Sequence, residues 1–251
     1  MIARQPPGPD RRQLERINAF AEFAAQNLTL SKKVLSTIGQ PIQVTSTLIQ
    51  GRRTPLNTFA VVVAVSVSLM FVCVLLAAGG VALEREEHTL ARLARGLATR
   101  EGLLAEKLLL AAGCAFVLAL GMLAGIGAFV SLDWSRIGEW VIALAFGALA
   151  FGALGIAIGA LAREVRAASL LAFLLSLPLA FLALVPSGSV SHVLYDAIGA
   201  ISFVFPFKAA LQALDAAVNG ASPGIAVSVA HLLGLTLLFG ALARLGLRRL
   251  D

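Results

Sequence analysis

The chain has 251 residues, 59% of them apolar and only 14% charged, with a mean hydropathy of +0.89. A soluble domain carries about 25% charged residues, so this composition excludes an ordinary soluble core and asks for lipid-facing helices instead. The net charge of +6 sits at the ends of apolar runs and in short connections. No basic patch is interleaved with exposed aromatics, which excludes nucleic acid as a partner.

Residues 1–56 form a polar preface. RQPPGPD is Pro-rich. RRQLERINAFAEFAAQNLTLSKKVLSTIG then predicts an amphipathic helix, with Leu14, Ile17, Ala21, Ala24, Ala25 and Leu28 at helical spacing. Gly39 and Pro41 stop it, and PIQVTSTLIQ reads as one short strand. A helix and a lone strand do not make a domain, so the preface is expected to be the end of something larger.

Residues 57–251 carry five apolar spans, at about 58–82, 104–130, 138–161, 167–185 and 225–247. Each reaches the roughly 20 apolar residues that cross a bilayer. The second contains Gly121-x-x-x-Gly125. The third contains a repeated AFGAL and Gly155-x-x-x-Gly159, a smooth face that another helix can approach closely. Pro178 is expected to kink the fourth. Between the fourth and fifth, residues 191–203 and 207–218 each predict a short helix, broken at Phe205-Pro206-Phe207. Neither is long enough to cross, so about 190–218 reads as a re-entrant hairpin. The expected fold class is an all-α integral membrane protein. It has about five transmembrane helices, a short extracellular helical hairpin before the last span, and a small polar N-terminal helix/strand segment.

Charge sets the orientation. The connection 83–107 holds five Arg/Lys, the turn AREVR holds Arg163 and Arg166, and the C-terminal end holds Arg244, Arg248 and Arg249. The alternate connections hold only Arg136 and Lys208. The positive-inside rule then places the first set, with the C-terminus, in the cytoplasm. An odd number of spans puts residues 1–56 outside. Long translocated segments escape that rule, which accommodates the eight Arg/Lys of the preface.

The chemistry available to the chain is narrow. Cys73 and Cys114 lie inside apolar runs, are not spaced as a metal pair, and read as small buried side chains. His231 is the one ionisable residue well inside a span, near its outer end, where a polar group at an interface is the simpler reading. Proton- and ion-driven transporters need acidic or histidine chains at membrane depth. No catalytic or metal motif such as H-E-x-x-H or G-x-S-x-G occurs, and no paired carboxylates sit within the bilayer. The phosphate loop of nucleotide-binding proteins is also missing, so energy for uphill movement has to come from another polypeptide.

The stretch GGVALEREEHTLARLARGLATREGLLAEKLL, between two long spans, resembles ABC-2 type permeases of ABC transporters. That family shows an acidic-basic-acidic start, a Thr-Leu pair, a Leu-rich turn, a small linker, and a Lys opening the next span. Here those are Glu84-Arg85-Glu86, Thr89-Leu90, Leu93, Leu97-Ala98-Thr99 and Lys107. His88 departs from a usual Gly, and Arg100 stands where Pro is frequent. The resemblance covers most of the chain. It implies that the first family span and most of an extracellular domain are lacking.

The resemblance also implies that this stretch holds a cytoplasmic coupling helix that docks on an ABC ATPase subunit. Glu84, Arg85, Glu86, Thr89, Leu90, Arg92, Leu93, Arg95 and Lys107 would then serve coupling, with Arg163, Glu164 and Arg166 as a second contact. For Glu84 and Glu86, pairing with neighbouring arginines stands beside that role. The implied function is the transmembrane subunit of an ATP-driven exporter in the cytoplasmic (plasma or inner) membrane, in contact with membrane lipid. It would be joined to a second permease subunit, identical or related. ATP and Mg would be used by the partner, and none held by this chain. Ser66, Ser68 and Thr236 are sparse polar points on a translocation path for a lipid-like or drug-like substrate. A membrane scaffold or anchoring subunit is the rival reading.

Overall fold

A computed structural model describes residues 56–87, 100–130, 132–162, 164–185, 191–220 and 224–248. The preface helix and strand lie outside them. Among the described residues all regular structure is helical. Helix α1 spans Leu56–Glu86, α2 Arg100–Gly127, α3 Ile137–Leu161, α4 Val165–Ala183, α5 His192–Val204, α6 Pro206–Asn219 and α7 Ile225–Arg248. A 3₁₀ turn, Trp134–Arg136, leads into α3. Five of these helices are long and apolar enough to cross a membrane.

Helix α3 is the centre. Of its apolar stretch 72% is buried inside the bundle, against 22% to 44% for the other four spans. Its buried face runs almost without interruption from Ala143 to Ala160 and is largely Gly and Ala. Small residues let backbones approach in lipid, where dispersion and not water exclusion holds helices together. A Cβ on Gly155 would lie 2.7 Å from the Val74 carbonyl oxygen, and one on Gly159 would lie 2.6 Å from that of Ala78. Helix α1 therefore rests directly on these glycines, parallel to α3. Helix α7 also runs parallel to α3, bringing Gly246 against Ala160.

Helices α5 and α6 meet at 85°. Pro206 opens α6 at its first position, where its missing N–H costs no bond. The break reaches the middle of the bundle. Phe207 lies 6.5 Å from Phe151 of α3, and Phe205 lies 6.4 Å from Phe239 of α7, ring centre to ring centre. Helix α6 then climbs back along α3 to Gly220, which ends it with a left-handed φ of 67°. The pair enters and leaves at one end of the bundle, as a re-entrant hairpin does. Helix α4 continues through Pro178 to Ala183.

Cys114 differs from the sequence expectation. Cys73 is buried, and its thiol donates to the Ala148 carbonyl at 3.1 Å, but Cys114 is exposed. Only 28% of the apolar stretch of α2 is covered, and Cys114 falls on the uncovered side. An apolar run fixes membrane depth and leaves the rotation of the helix open.

Candidate functional site: the charged end of the bundle

The residues Glu84-Arg85-Glu86 close α1 and reach three different neighbours. The Glu84 carboxylate takes an ion pair from Lys107 Nζ of α2 at 2.5 Å, with both side chains about four-fifths buried. Arg85 Nη1 donates to the carbonyl oxygens of Ala160 and Ala162, each at 2.7 Å. Those groups end α3, where the last carbonyls lack intrahelical partners and the helix dipole is negative. Glu86 Oε2 accepts from the backbone N–H of Val165 at 3.0 Å. Val165 is the first residue of α4, whose own N-cap residue, Glu164, makes no side-chain capping bond. The cap comes instead from α1, and a carboxylate suits the positive end of a helix.

The structure thus brings together four of the sequence-assigned coupling residues, Glu84, Arg85, Glu86 and Lys107, and joins them to the second turn. Glu84 finds its partner in Lys107, and Glu86 finds a backbone N–H. Glu164 and Arg166 are exposed beside these bonds. Thr89, Leu90, Arg92, Leu93, Arg95 and Arg163 lie outside the described residues.

The three polar points assigned to a path sit apart from this end. Ser66 is 1% exposed, inside the bundle, and its hydroxyl has no hydrogen-bond partner. Ser68 is half-buried. Thr236 Oγ1 donates to the Leu232 carbonyl one turn back in α7 at 2.8 Å. In this conformation Ser66 faces the core of its own chain.

Two long-range polar contacts in the opposite half of the bundle, Arg136 to Ala216 and His231 to Phe203, escape a reading of the sequence. Arg136 pairs with Glu139 and donates to the Ala216 carbonyl at 3.0 Å, near the end of α6. His231 Nε2 lies 2.9 Å from the Phe203 carbonyl. A carbonyl only accepts, so Nε2 carries the proton. The imidazole also stacks on the Phe203 ring at 4.3 Å. The three-residue spacing of Arg136 and Glu139 is a visible signal for their own pairing, but not for the partner 80 residues away.

The family model for the ABC-2 family transporter protein matches residues 14–245. The chain belongs to the ABC-2 family. It is an integral multi-pass membrane protein and a permease component of an ABC transporter, a family that works with ABC ATPase subunits. Comparison with curated proteins gave no match.

Proposed function

We propose that this permease is the transmembrane subunit of an exporter whose energy comes from ATP and Mg bound by separate ATPase subunits. The observation that carries the reading is the convergence at the charged end. The end of α1, from which the charged connection starts, is joined there to the α3–α4 turn by Arg85 and Glu86, so a partner docked on the connection can act on both. Ten Arg/Lys of the connections and C-terminal end belong to that side, which supports a cytoplasmic location in the plasma or inner membrane. A second permease subunit, identical or related, completes the translocation path. The substrate class is lipid-like or drug-like, in keeping with the almost uncharged spans.

Purification in mild detergent tests the reading. A P-loop ATPase should accompany the wild-type protein, and charge reversal of Arg92 and Arg95 should release it and abolish efflux. A protein that carries no ATPase, with efflux indifferent to those reversals, would return the chain to a scaffold.

A further inference from the structure

Three consecutive residues on a helix point about 100° apart, and here they meet three different elements. Their charges match their partners in order. Glu84 meets the cation of Lys107, Arg85 meets the carbonyl end of α3, and Glu86 meets the N–H end of α4. Any permutation of the signs would set like against like. Helix α1 stays hydrogen-bonded up to this point, with the Glu87 N–H donating to the Leu83 carbonyl. The connection that follows α1 therefore starts from a root fastened to α2, α3 and α4.

We propose that Glu84, Arg85, Glu86 and Lys107 are positioning residues that form an internal clasp, so that displacement of the connection after α1 reaches α3 and α4 as movement of one body. This rests on the permease reading and changes one part of it: the bonds described for the four residues go to their own chain, and only Glu86 among Glu84, Arg85 and Glu86 is exposed, so they transmit what the ATPase does without forming its docking surface. Charge-assisted bonds to backbone ends suit that task, because they hold helix termini and not mobile side chains.

The test uses the complex with its ATPase in a Cys114→Ser background, with Val193→Cys on the exposed face of α5 as reporter. Maleimide labelling of this cysteine is followed without nucleotide and with ATP plus vanadate. Arg85→Gln should keep the ATPase at wild-type stoichiometry while the nucleotide-driven change in labelling rate falls about tenfold, the scale of one lost hydrogen bond to a charged group. Arg85→Lys should recover part of the response. Glu84→Lys and Lys107→Glu should each impair it, and the double exchange should restore it, an arm that decides the matter even if Arg85→Gln fails to fold. Loss of the ATPase from Arg85→Gln would overturn the proposal in favour of direct docking, and so would an unchanged labelling response. A wild-type complex without ATPase would show a different failure, that of the permease reading itself, and would take the clasp with it.

Discussion

Arg85 and Arg136 do related work at the two ends of α3. Each places a guanidinium against backbone carbonyls near the C-terminal end of a helix, where the dipole is negative. Arg85 meets carbonyls that end α3, whereas the Ala216 carbonyl met by Arg136 also accepts the Gly220 N–H. Arg85 makes two such bonds, and a planar guanidinium is suited to them. Arg85→Ala should lower unfolding stability by roughly 2 kcal/mol, the range for hydrogen bonds to a charged group. Chemical unfolding of the purified protein in detergent measures this. Asp133 offers a pH-dependent case outside the spans. Its Oδ1 accepts from the Ser135 hydroxyl at 2.6 Å and from the Ser135 N–H at 3.1 Å. The hydroxyl bond first, the backbone bond next, and Arg136 more weakly hold its carboxyl below the ordinary range. A carboxyl with a lowered folded pKa stabilises the fold fully above its unfolded value and loses that contribution as pH falls through the folded value. The midpoint difference between wild type and Asp133→Ala should therefore be constant at neutral pH and shrink in acid, as seen by thermal unfolding across pH.

At the scale of helices, the glycines separate what a spacing says from what it does. Gly155 and Gly159 would each put a Cβ within 2.7 Å of an α1 carbonyl oxygen, whereas Gly121 and Gly125 face open space. Gly159→Ala must push backbone from backbone, at a cost of about 1–3 kcal/mol. Gly121→Ala meets no such barrier and should leave stability unchanged or raise it by up to about 1 kcal/mol, the helix-propensity difference between the two residues. The same detergent unfolding assay distinguishes the two. Both pairs share one spacing, so their sequences look alike; only the rotation of each helix against its neighbours tells them apart. Cys73 and Cys114 repeat the lesson. The spans themselves were legible because length and apolarity are local properties, and the hairpin because Pro206 cannot continue the preceding helix. The clasp was half legible. The run Glu84-Arg85-Glu86 stood out by charge, but its α3 and α4 partners lie 75 to 79 residues away and are backbone atoms, which no side-chain pattern announces.

For the whole molecule, α3 connects the two ends. Its 25 residues span about 37 Å. Arg85 grips one end, and Arg136 binds the re-entrant hairpin close to the other. A strut of this kind transmits by moving as a rigid piece, which needs no energetic coupling between its ends within one conformation. Coupling is a difference between conformations, not a property of either alone. Arg85→Ala and Arg136→Ala should therefore destabilise the resting protein additively, within about 0.5 kcal/mol, since distant sites without shared partners add. Hydrogen exchange should show the damage as local. Arg136→Ala should speed exchange around Ala216–Gly220 and leave Ala160–Val165 as in wild type, and Arg85→Ala should do the reverse. Once ATP and vanadate hold the complex in its other state, the same pair should depart from additivity, because both grips then act on one displaced helix. Additivity in both states would mean that the hairpin responds to the ATPase by a route other than α3.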